Sequence, residues 1–201
     1  MSPTELTYPL NAKTTTHHEV ATLLFDLWGS VEALKQCEFY FRRYPFAGLP
    51  VSRDDHFRNV CEMYFGWFYM IRERIKKYLN KLNAINDDHV DVGRFLKAYD
   101  REFDQELRAR NSVHHSGPFE DLSIDRLRLT RLMSMGKTDR RSDWASEHDR
   151  AYRAATKEWA LRVKRRARVV DVFIDAVAKA TLERTAFLAH PIDLTPDLAQ
   201  G

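Results

Sequence analysis

Hydrophobic residues recur along this chain at steps of three and four, the period of a helix packed along one face. Val20, Leu23, Leu24, Leu27, Val31, Leu34 and Phe41 form the first such stripe, and Thr16 and Glu19 before it have the spacing of a capping box. The stripe stops at Tyr44-Pro45-Phe46-Ala47-Gly48-Leu49-Pro50, where glycine and proline mark a loop. Ser52 and Asp55 repeat the capping spacing. Phe57, Val60, Cys61, Tyr64, Phe65, Phe68, Ile71, Ile75, Leu79 and Leu82 then predict a second long helix. The aromatic cluster from Tyr64 to Tyr69 falls on that helical period, which assigns it to a core or a dimer interface rather than to base stacking.

Asn86-Asp87-Asp88 predicts a turn and N-cap for a third helix, with the stripe Val92, Leu96, Tyr99, Phe103 and Leu107. The same steps carry that stripe on to Arg110 and His114. A shorter fourth helix runs from about Phe119 to Met135 and ends at Gly136. From Asp139 to Leu188 there is neither glycine nor proline, and apolar residues from Trp144 to Leu188 keep a helical rhythm. One helix of that length would span about 75 Å, longer than a compact domain of this size, so the pattern predicts a break or an arm reaching a second subunit. The expected organisation is an irregular leader over 1–15, a single all-α domain over 16–189 built as a bundle of five to six helices, and a loose tail over 190–201.

The charge balance, 32 basic against 29 acidic residues for a net +3, is only mildly basic and does not by itself announce nucleic acid. Cys37 and Cys61 both lie inside helical patterns and read as buried free thiols, not as a disulfide framework or a redox pair. The start, Met-Ser-Pro-Thr-Glu-Leu, lacks a basic region followed by an apolar core, and no apolar run reaches membrane-spanning length, so a soluble cytoplasmic protein is expected.

His17-His18-Glu19 and Asp87-Asp88-His89 with Asp91 sit at predicted helix starts, where acids and small polar residues cap the backbone. No His-x-x-x-His or Glu-x-x-His spacing occurs, and no metal or other cofactor is expected. Gly136-Lys137-Thr138 matches the end of a P-loop, but Arg131 stands where the motif requires glycine.

The chemistry gathers in Arg110-Asn111-Ser112-Val113-His114-His115, where the third helix runs into the breaker Ser116-Gly117-Pro118. Arg184 with His190 and Arg141 with His148 also pair an arginine with a histidine at similar spacing, but neither arginine is followed by asparagine. The hexapeptide resembles the arginine, four to six residues, histidine signature of the HEPN superfamily. With asparagine after the arginine and paired histidines at the end, it is similar to the RNA-cleaving motif of the kinase-extension nuclease branch.

That resemblance implies a homodimer whose two motifs face each other across a cleft, and metal-independent RNA cleavage by 2′-hydroxyl attack, leaving a 2′,3′-cyclic phosphate. It implies proton transfer by His115, charge stabilisation by Arg110, orientation by Asn111, and supporting places for His114 and, upstream on the inward face, Tyr99. Such an activity in a toxin or defence system would bring a cognate inhibitor protein as a further partner.

At about 100° per residue, an undistorted helix would point His115 about 140° away from Arg110, so bringing both onto one phosphate requires the helix to loosen near Ser112. Arg162, Lys164, Arg165, Arg166 and Arg168 surround the narrow seam of Val163 and Ala167 and read either as a solvated face or as a band for an RNA backbone. Two other readings stay open. One is a non-catalytic HEPN-like module that binds RNA or protein; the other is a structural α-helical dimer with Arg110 tied to Glu106.

Overall fold

The computed structural model describes residues 12–136 and 141–185, and these form an all-α bundle. Its helices are α1 (Ala12–Arg42), α2 (Arg53–Asn83), α3 (Val92–Glu102), α4 (Asp104–Ser116), α5 (Leu122–Met135) and α6 (Arg141–Thr181). The expected tail over 190–201 and the P-loop-like Lys137-Thr138 lie outside the described residues.

Several ends fall where local chemistry puts them. Ser52 caps α2, its hydroxyl oxygen accepting the Asp55 N–H at 3.2 Å. Gly136 closes α5. The start of α1 differs from expectation: the chain is already helical at Ala12, so residues 12–15 belong to the helix and not to a leader. The cap of α3 is Asp91, which accepts the Arg94 N–H at 2.9 Å, and not the Asn86–Asp88 turn. That turn is held instead by Asn83, whose side-chain amide exchanges two 2.8 Å hydrogen bonds with the backbone of Val90.

The expected third helix is divided at Phe103 (φ −113°, ψ 24°) into α3 and α4. The Phe103 N–H still donates to the Tyr99 carbonyl at 2.9 Å, and the Leu107 N–H to the Phe103 carbonyl at 3.0 Å. These i→i−4 bonds carry the helical phase across the bend, so Tyr99 and Phe103 are both buried and Leu107 packs beside them.

The opposite correction applies to α6. Its 41 residues run without a break, about 60 Å of helix. A compact sphere could not hold it, but the bundle is built of rods: α1 and α2 have 31 residues each, about 46 Å. The seam of Ala151, Ala155, Trp159, Val163, Ala167, Val170, Ile174 and Val177 is buried along this length.

Contacts at both ends fix the directions. Phe41 stacks edgewise on Phe57 and Lys81 pairs with Glu19, so α1 and α2 are antiparallel. Arg53 pairs with Asp149 and the Tyr78 hydroxyl meets Thr181 at 3.1 Å, so α6 runs parallel to α2. Tyr99 reaches Phe68, Phe119 reaches Phe65 and Arg131 reaches Asp54, which makes α3, α4 and α5 a fourth rod, antiparallel to α2 and bent twice. In the centre Trp159 is ringed by Phe41, Phe57, Tyr64, Phe65 and Phe119. Tyr64, Phe65 and Phe68 are therefore core, and that part of the aromatic cluster is not an interface.

Candidate functional site

The two halves of α4 meet different environments because the helix crosses α2. Glu106 faces Tyr64 and Arg110 faces Tyr69, five residues and therefore about 140° apart around α2.

The first half is anchored by a buried carboxylate. Glu106, 2% exposed, receives the Arg166 guanidinium from α6 at 3.0 Å (Nε to Oε1) and 3.1 Å (Nη2 to Oε2). Arg166 also donates to the Glu102 carbonyl at 2.8 Å and lies over the Phe103 ring at 4.8 Å. The Tyr64 hydroxyl donates to Glu106 at 3.5 Å, and Arg162, stacked on Trp159, stands 3.9 Å from it.

A buried charge needs this degree of pairing to be tolerated. Burial and the Glu106 charge together push the Tyr64 phenol above its ordinary range. Burial alone would lower the pKa of Arg166, but Glu106 together with Glu102 and Tyr64 outweighs it and the net shift is upward. Beside this cluster, Arg101, Glu102, Glu106, Arg162 and Arg166 border a groove of about 440 Å³ between the fourth rod and α6.

The second half carries the motif. Arg110 is half-buried, with its guanidinium 4.0 Å from the centre of the Tyr69 ring and Nη1 donating to Asn111 Oδ1 at 3.2 Å. Among the described residues no carboxylate stands within ion-pair distance of Arg110. Glu106, one turn earlier and the acid that would neutralise it in a purely structural helix, faces Arg166 instead.

Asn111 and His115 are exposed; the side chain of His114 lies outside the described set. Helical structure continues through Ser116, so the loosening near Ser112 is absent and Arg110 and His115 point about 140° apart in one chain. The helix ends at Gly117, whose φ of 129° is open to glycine and strained for other residues.

Tyr99 is not at the site. It is fully buried, its hydroxyl donates to the Phe68 carbonyl at 2.9 Å, and burial raises its pKa well above normal. The tyrosine that does meet the motif is Tyr69. Its off-stripe position on α2, next to the exposed Met70, is the one sign of this in the sequence.

The basic run of α6 also divides. Lys164, Arg165 and Arg168 are exposed, whereas Arg162 and Arg166 turn toward Glu106, because both fall on the same flank of the Val163 and Ala167 seam, the one that faces α4. As a five-residue RNA band, the run loses these two members.

Cys37 and Cys61 are buried free thiols, and burial pushes Cys37 up to about 12. Among the described residues no group of three or more His, Cys, Asp or Glu side chains is disposed to hold a metal ion. No helix among them is long and apolar enough to cross a membrane. Comparison of the chain with protein-family models, curated proteins and solved structures finds no match.

Proposed function

We propose that this chain is a HEPN-like endoribonuclease that cleaves RNA without a metal, at a composite site formed by two copies of α4. The observation that carries the proposal is Arg110: a half-buried guanidinium at a helix end, oriented by Tyr69 and Asn111 and paired with no carboxylate among the described residues, on the same helix as the exposed His115. An unneutralised, oriented cation is suited to charge that appears only in a transition state.

In the proposed reaction His115 removes the proton from the ribose 2′-hydroxyl. The 2′-oxygen bonds to phosphorus as the bond to the 5′-oxygen breaks, and the protonated His115 of the partner subunit supplies a proton to that leaving oxygen. Arg110 holds the phosphorane oxygens and Asn111 keeps its guanidinium in place. The divergence of Arg110 and His115 within one chain is the reason two copies are required, since a two-fold axis near the α4 ends would set Arg110 of one chain toward the partner's motif. RNA is the substrate, and a cognate inhibitor in a toxin or defence system would act by covering these helix ends.

The test is incubation of the purified full chain with single-stranded RNA in excess EDTA. Cleavage leaving 2′,3′-cyclic phosphate ends, by a species that sediments as a dimer, is expected. A monomer at micromolar concentration would remove the composite site.

The same unbroken helix favours a second reading, a non-catalytic RNA-binding module, in which Arg110 holds phosphate and His115 takes no part in chemistry. RNA retention without cleavage in any of several RNA pools would select it.

A further inference from the structure

α3 with its cap is charge-balanced in sequence, with Asp91, Asp100 and Glu102 against Arg94, Lys97 and Arg101. Folding separates the two signs. Asp91 caps the helix through the Arg94 N–H, Asp100 is taken by Arg72 of α2, and Glu102 pairs with Arg166 of α6. Arg94, Lys97 and Arg101 remain exposed and border one open depression whose one carboxylate is the capping Asp91, and no carboxylate among the described residues stands within ion-pair distance of the three.

Helical phase shows where these cations lead. Taking the buried Tyr99 as zero and about 100° per residue, Arg94, Lys97, Arg101, Arg108 and His115 fall at about 220°, 160°, 200°, 180° and 160°. The i→i−4 bonds through Phe103 preserve that phase from α3 into α4. Five side chains spread over about 30 Å of helix therefore share an arc of about 60° opposite the core. Arg108 is 79% exposed, and among the described residues its one ion pair is a surface pair with Asp104, which solvent screens. Arg101 also lines the groove shared with Arg162.

From this segregation and alignment we infer that the outward face of α3–α4, through Arg94, Lys97, Arg101 and Arg108, is a track for the phosphodiester backbone of single-stranded RNA that ends at His115. The inference rests on the proposed ribonuclease reading and adds the surface by which the strand reaches the histidine. Exposed cations without acidic partners exchange counterions for phosphates at little cost, which gives binding with small sequence preference and a steep salt dependence.

The test uses the full chain and two strands of one sequence long enough to span the stripe. One is fully 2′-O-methylated and cannot be cleaved by 2′-attack; the other is unmodified. Arg94→Gln/Lys97→Gln/Arg101→Gln removes three cations that point away from the core, so circular dichroism should be unchanged. Each lost single-strand phosphate contact lowers the salt slope by about 0.7, so the slope should fall by about 2 and affinity at low salt by roughly 10- to 100-fold. On the unmodified strand KM should rise with kcat held.

Lys164→Gln/Arg165→Gln/Arg168→Gln on α6, whose cations lie off the line that leads to His115, should lower the salt slope and the affinity less than the α3 variant does. If the α6 variant loses the slope and the α3 variant keeps it, the track is overturned while the ribonuclease reading stands. Stripe-dependent binding without cleavage supports the track and removes the catalytic reading. If the wild-type chain holds neither strand, or holds an acidic polypeptide through the same three residues and no RNA, the track falls.

Discussion

Arg166 of α6 and Arg110 of α4 each lie over an aromatic ring, yet they have opposite standing. Arg166 covers Phe103 and is bound through two nitrogens to Glu106, a carboxylate almost wholly removed from water. Arg110 covers Tyr69 and has one neutral amide for company. In the first case the guanidinium exists for its partner: without it a buried anion would be stranded. In the second, no carboxylate among the described residues stands within ion-pair distance, and in the proposed function that charge meets the substrate. One helix thus carries a structural end and, on the proposed reading, a functional end, and the presence or absence of a buried carboxylate separates them.

The largest effect expected is at the functional end. His115→Ala should reduce RNA cleavage by about 10²- to 10⁴-fold, the usual worth of a positioned acid or base. Arg110→Ala should reduce it by about 100- to 1000-fold, as loss of a preorganised donor does. Both variants should unfold in urea within about 1 kcal/mol of wild type, since His115 is exposed and Arg110 only half-buried. His114→Ala provides the control: full loss there with retention in His115→Ala would assign proton transfer to the other histidine.

At the structural end the signature inverts. Arg166→Ala leaves Glu106 with only the distant Arg162 and the Tyr64 hydroxyl, and should cost about 3 kcal/mol of stability, the lower end for breaking a buried pair. Any protein that remains folded should keep its cleavage rate per folded molecule. Urea midpoints measured beside initial rates check this, and an Arg166→Ala protein of normal stability but no activity would dissolve the distinction. Arg166 cannot therefore serve as a probe of RNA binding, although it sits in the densest basic run of the sequence.

These two ends were unequally legible. The α2 cap at Ser52 and the end of α5 at Gly136 follow from local residues, because capping and chain reversal depend on a few neighbours. The bend at Phe103 has no such sign: no glycine or proline marks it, and the apolar stripe crosses it in phase. The unbroken course of α6 departs from the sequence expectation because a radius suited to a sphere does not limit a helix in a bundle of rods. The motif itself is local and could be read, and so could the 140° divergence that an intact helix imposes. Tyr69 beneath Arg110 and Arg166 against Glu106 are contacts across 41 and 60 positions, and no spacing rule reaches them.

The smallest expected effect is the sharpest test of the comparison, because it removes only the ring beneath each arginine. Tyr69→Leu takes from Arg110 a cation–π contact worth about 0.5–1 kcal/mol at a partly exposed site, leaving the single hydrogen bond to Asn111 to hold the guanidinium. Stability should fall by about that amount and cleavage by about 3- to 5-fold, as an oriented cation becomes a mobile one. Tyr69→Phe keeps the ring and should restore the rate, because the face of the ring, and not its hydroxyl, meets Arg110. In a double-mutant cycle with Arg110→Ala, the two substitutions should couple by about 0.5–1 kcal/mol in transition-state free energy. Phe103→Leu, the matching change under Arg166, should leave cleavage per folded molecule unchanged, since two bonds to Glu106 still fix that guanidinium. Equal kinetic responses at the two rings would mean that Arg110 is held as firmly as Arg166 by something other than Tyr69.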